Sequence, residues 1–133
     1  MAWLAAGPDD AVVSHESALE MLELSDIIPR SVHITLPRSK RWYQAPNGVT
    51  VHTTSRQVDD VVVRQGIRLT GPARSIVDSA EWGSAPEQVE MAVRQAMARG
   101  ITTERELLRQ ARERGERVRR LVENAVESDE GGE

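Results

Sequence analysis

Apolar positions along the chain change period twice. Between 15 and 24, Ala18, Leu19, Met21, Leu22 and Leu24 recur at helical spacing behind Ser14, a residue type suited to an N-cap, and predict a helix over 15–24. From 31 the period becomes two. Val32, Ile34 and Leu36 alternate with Ser31, His33 and Thr35, and Val49, Val51 and Thr53 alternate with Thr50, His52 and Thr54, which predicts half-buried strands at 31–36 and 49–54. Gln65-Gly66 divides VVVRQGIRLT into two further strands, 61–64 and 67–70, around a tight turn in which glycine takes positive φ freely. The sheet expected from these segments is antiparallel, of about four strands, with one face under helices and the other more polar.

From Gly71 the helical period returns. Pro72 suits a helix's first position, and Ile76, Val77 and Ala80 follow it, predicting a helix over 72–81. Ser84-Ala-Pro-Glu87 and Thr103-Glu-Arg-Glu106 read as capping boxes that open helices over 85–99, closed by Gly100, and over 104–126. Leu107, Ala111, Val118 and Ala125 approximate a heptad seam in the last helix, but Arg114 and Gly115 stand where its middle should be. The expectation is that its first half packs on the domain while its second half frays or meets a partner chain, which admits a homodimer. The fold class is thus α+β. One domain covers 1–127, and 128–133 is a disordered acidic tail. Trp3 and Leu4 read as the last turn of a helix that begins upstream of Met1 and ends at Gly7-Pro8.

A chain of 133 residues can bury one core. The absence of cysteine excludes a disulfide scaffold, thiolate zinc sites and cysteine nucleophiles. The N-terminal apolar run has no basic region before it, and no apolar stretch approaches the about 20 residues that span a bilayer, so the expected location is cytoplasmic with no membrane partner. The net charge of −4 conceals an asymmetry. Residues 1–27 carry six acids and no Lys or Arg, residues 28–74 eight bases against two acids, and residues 75–133 thirteen acids and nine bases. Nucleic acids respond to that local basic field rather than to the total.

The basic third contains LPRSKRWYQAPNG at 36–48. Arg38, Lys40 and Arg41 adjoin Trp42 and Tyr43, two of the chain's four aromatic residues. Cations neutralise phosphates and aromatic rings stack on bases, so this composition fits a nucleic-acid or partner site; a solvated tip with Trp42 folded onto the sheet edge is the competing reading. His33 and His52 are expected on the polar faces of adjacent strands, where they form a cross-strand pair rather than a metal site, since no third ligand is near in sequence. His15 reads as a first-turn residue beside an N-cap. Arg74 and Asp78, four apart in TGPARSIVD, can pair on one helix, and Arg74 can reach back to the sheet. No phosphate loop, activated nucleophile or carboxylate pair stands out, so no catalytic residue, metal or cofactor is expected.

Through AVVSHESALEMLELSDIIPRSVHITLPRSKR, GVTVHTT, DDVVVRQGIRLTGPARSIVD and EQVEMAVRQAMARGI, over about residues 2–110, the chain resembles the C-terminal domain of AbiEi-type antitoxins of bacterial abortive-infection and type IV toxin–antitoxin systems. The order of the blocks carries the resemblance, with TGPARSIVD after a G-I-x-L strand the most telling. It implies a non-enzymatic antitoxin or transcriptional regulatory module whose genetic partner is a nucleotidyltransferase-like toxin. It also favours a nucleic-acid role for Arg38, Lys40 and Arg41, with DNA ahead of RNA. The family's usual N-terminal winged-helix domain is missing from this sequence, so operator binding does not carry over. A related arrangement places the same region before a Vsr-like endonuclease domain, and the alternative it implies is an accessory domain of a DNA-processing protein without its nuclease half.

Overall fold

Val32–Pro37 and Val49–Thr54 lie side by side in unbroken register from Val32↔Val49 to Pro37↔Thr54, and they run parallel. This is the main departure from the expected antiparallel sheet. Alternation fixes which side chains share a face but not which way the neighbouring strand runs. The intervening residues 38–48 must therefore travel back along the strand. Six strand residues cover about 20 Å, a distance eleven connecting residues span without an α-helix.

The structure, a computed structural model, describes residues 10–26, 28–58 and 60–131, with 129–131 described as backbone alone. The expected helix end at Trp3 and Leu4 lies outside the described residues. The strands are β1 (Val12–Val13), β2 (Val32–Pro37), β3 (Val49–Thr54), β4 (Val61–Arg64) and β5 (Ile67–Thr70). They form one mixed sheet in the order β3-β2-β1-β5-β4. The central strand, β1, is absent from the expected set, because two buried valines cannot display a period. It pairs antiparallel with β2 and parallel with β5, joining the two outer halves of the sheet. The β4–β5 hairpin turns at Gln65-Gly66 as expected, with positive φ at both residues (54° and 77°).

Five α-helices surround the sheet among the described residues: α1 (His15–Met21), α2 (Pro72–Trp82), α3 (Pro86–Ala98), α4 (Glu104–Ala111) and α5 (Glu116–Gly131). The chain is α+β. Helix α1 stops short of residue 24 because Glu23 takes a positive φ and the Leu24 amide closes back on the Leu19 carbonyl. Leu24 is nonetheless fully buried. The expected single helix over 104–126 is two helices. A 3-10 turn at Arg112–Arg114 and Gly115, with φ of 94°, break it, so the interrupted stripe marks a real corner. The second half does not wait for a partner: Val118, Val122, Ala125 and Val126 of α5 are buried against α3 and the rest of the core.

Of the two expected capping boxes, one holds in part. The Thr103 hydroxyl accepts from the Glu106 amide, but Glu106 turns outward to Arg109 and Gln110 instead of reaching back. Ser84 caps nothing. Its amide joins the end of α2 by bonding to the Ser79 carbonyl, and its hydroxyl donates to Glu16 at 2.6 Å. Pro86 at the start of α3 needs no amide partner there. Leu19, Ile34, Leu36, Leu69, Ile76 and Leu107 are all fully buried within one apolar cluster.

Candidate functional site

Two places gather side chains that ordinary packing does not require. The first is the crossover after β2. Arg38–Lys40 form a 3-10 turn closed by bonds from the Arg41 amide to the Arg38 carbonyl and from the Tyr43 amide to the Lys40 carbonyl. Arg38, Lys40 and Arg41 are exposed, and Trp42 is 78% exposed with the Arg41 guanidinium 5.0 Å from its ring centre. Tyr43 turns the other way and packs against the core. Four of the five residues singled out in the sequence are thus presented together, while the fifth anchors them.

The second place is the polar face of β2 and β3. All three of the chain's histidines meet there. Parallel register sets His33 and Thr35 on one face with Thr50, His52 and Thr54, and His33 Nδ1 lies 2.9 Å from His52 Nε2. This is the expected cross-strand pair. His15 joins it because Ser14 is extended and His15 takes φ of 57°, a left-handed conformation histidine enters more readily than most residues. That bend lays its ring on His52 with centroids 3.6 Å apart, and Nδ1 bonds to Ser14 Oγ. Trp82, at the end of α2, stands nearly perpendicular to both His33 and His52. The face expected to be the more polar one is polar, and much of it is buried: His33 is 2% and His15 8% exposed, His52 is half-buried, and Ser14 Oγ also accepts from Thr35.

Beside the histidines lies a charged clamp. Asp78 receives the Arg74 Nε at 3.1–3.2 Å and the Arg114 Nη1 at 2.7 Å, and the same Arg114 nitrogen reaches Glu81 at 2.8 Å. Arg74 extends further to the Gln57 carbonyl and Thr54 hydroxyl, so it pairs on its helix and reaches the sheet, as expected. His15, His52 and Trp82 together with Arg74, Asp78 and Arg114 line a cavity of about 360 Å³.

Burial sets the protonation of this site. His15 is pushed down to about 2, by burial first and then by His52, His33, Arg114 and Arg74. His52 falls to about 4, again through burial and then His33, with Asp78 opposing. His33 is lowered by burial against a smaller opposing pull from Glu16. At neutral pH His15 and His52 are therefore uncharged, and as general bases they are far weaker than one poised near pH 7. Among the described residues no group of three or more His, Cys, Asp or Glu has the geometry to hold a metal. Stacked rings bring faces together, not lone pairs, and His33 and His52 direct one nitrogen each at the other.

Comparison with known proteins adds a fold and nothing more. No family model matches the chain, and no curated protein matches it. Among solved structures, it is similar to the crystal structure of the RV2827C protein from Mycobacterium tuberculosis, at a TM-score of 0.68 and 17% sequence identity. The match covers 96% of this chain and 51% of that one, so the chain spans about half the length of that protein. At this identity the likeness concerns the backbone architecture alone.

His15, Trp82 and Glu81 are site residues that sequence reasoning misses, and Arg114 shows there only as a break in an apolar stripe. Helical neighbours point apart, which argues against His15, but that argument fails when the first helical residue is left-handed. The one available signal is that a chain with three histidines places two of them in adjacent strands and the third at a helix start.

Proposed function

We propose that this chain is a non-enzymatic, antitoxin-like regulatory module of a bacterial toxin–antitoxin or phage-defence system, acting by binding nucleic acid through the Arg38–Trp42 segment. The observation that carries the reading is the joint exposure of Arg38 and Lys40 on a 3-10 turn and of Arg41 and Trp42 directly after it, with Tyr43 holding the segment to the core. An exposed tryptophan between phosphate-neutralising cations suits a platform for an unstacked base. The regulatory setting rests on the ordered sequence blocks described above. The reading of the module as a binder rather than a catalyst is supported by the weak basicity of His15 and His52.

Neutralising Arg38, Lys40 and Arg41 together to glutamine tests the reading. Binding to DNA should weaken across all sequences, and the log–log dependence on salt should flatten by about one unit for each phosphate that is no longer neutralised. An unchanged salt slope would place the nucleic-acid surface elsewhere or remove it.

A further inference from the structure

The cavity beside the histidine stack has no role in the loop reading, yet its lining is specific. Each arginine that lines it already faces a carboxylate: Arg74 and Arg114 share Asp78, Arg114 also meets Glu81, and Arg56 lies 3.9 Å from Glu113. A bare anion would have to displace one of these pairs. Beside these ion-paired groups the lining offers a ligand aromatic surface and uncharged hydrogen-bonding groups. Trp82 is 50% exposed although it touches two imidazoles edge to face, so part of the indole stays open. His52 directs Nε2 to His33, leaving Nδ1. Thr54 Oγ1 accepts from the Arg56 amide and from Arg74, leaving its own proton to donate.

We propose that this cavity binds a nucleobase, stacked on Trp82 with its polar edge met by His52 Nδ1 and the Thr54 hydroxyl. A base is planar, uncharged and rimmed with both donors and acceptors, which matches a charge-balanced cleft that offers one ring and two uncharged polar atoms. The cavity volume of about 360 Å³ lies within the range of about 300–1,000 Å³ that small-ligand sites occupy. An uncharged imidazole serves as donor or acceptor according to tautomer, so His52 can answer either edge chemistry. The base comes from a free nucleoside or from a strand held at the crossover, because Thr54 pairs in register with Pro37, the residue before Arg38. The strand source rests on the loop reading; the nucleoside source does not.

The test titrates the full chain at neutral pH, by calorimetry, with adenosine, guanosine, cytidine and thymidine and separately with a short single-stranded oligonucleotide. Saturable binding of at least one nucleoside is expected. Trp82→Ala should weaken it about 10- to 100-fold, and Trp82→Phe should restore most of it. Thermal melts of the two Trp82 variants check that the fold survives, and the phenylalanine variant carries the test if the alanine variant does not fold. Nucleoside binding that depends on Trp82, without oligonucleotide binding, upholds the cavity and removes the loop reading. Oligonucleotide binding that ignores Trp82, with no nucleoside bound at millimolar concentration, overturns the cavity proposal and leaves the loop reading standing.

Discussion

The imidazoles of His15 and His52 stack with 3.6 Å between ring centres and 14° between planes, the closest ring contact in a seam that gathers all three of the chain's histidines, with His15 and His33 buried and His52 half-buried. Both are held well below the ordinary histidine value by burial. The unfolded chain, titrating near pH 6.5, therefore binds more protons than the folded one on acidification. The contribution of these two histidines to stability is fully present above about pH 6.5 and declines as the pH falls from there, until His52 protonates in the folded state near 4 and His15 near 2. The slope approaches about 1.4 kcal/mol per pH unit for each histidine. Urea unfolding at about pH 7 and about pH 5 measures it, and His15→Asn, which tolerates the positive φ, should flatten the decline by one histidine's share. An identical decline in that variant would mean that the stack does not govern acid stability.

Asp78 sits between two guanidiniums on residues from different parts of the chain, with its side chain only 6% exposed. Asp78→Ala leaves Arg74 without its carboxylate and Arg114 with Glu81 alone, and should cost about 3 kcal/mol or more, because an uncompensated buried charge costs far more than an intact pair contributes. Asp78→Asn, which keeps the shape and some hydrogen bonding, should cost less. The shift in urea midpoint at constant m-value reads both.

Gly71 caps α2 where the chain leaves β5, with its amide 2.6 Å from the Asp60 carbonyl. A Cβ there would overlap the Asp60 carboxylate and come within 2.9 Å of its backbone oxygen. Gly71→Ala should destabilise by about 1–3 kcal/mol, as overpacking does, although its φ of −66° is open to alanine. A thermal melt unchanged by the substitution would show that this approach is not tight.

Much of this architecture is legible from local chemistry. The Gln65-Gly66 turn, the proline start of α2 and the Arg74–Asp78 pair all depend on contacts within a few residues, which spacing reveals. Strand direction does not, and so a crossover at 38–48 reads as the tip of an antiparallel pair. The same limit hides β1, whose two residues matter only through the strands on either side. Arg114 and Gly115 are visible as a fault in an apolar stripe, but the reason lies far away in sequence: the corner delivers Arg114 to Asp78 and Glu81. The exposed quartet at Arg38, Lys40, Arg41 and Trp42 can be found from composition, whereas Tyr43 is grouped with it because sequence does not distinguish an outward ring from an inward one. His15 escapes because its position depends on a single left-handed residue.

The most direct measurement of the central claim is fluorescence anisotropy of a labelled single strand and its duplex, titrated at low salt with the wild-type chain and with Trp42→Ala. The wild type should bind both, and the variant should lose about 1–3 kcal/mol on the single strand and much less on the duplex, because only an unstacked base can lie on the indole. A wild-type chain that binds neither form at low salt would contradict the account and leave Trp42 as an anchor for a protein partner.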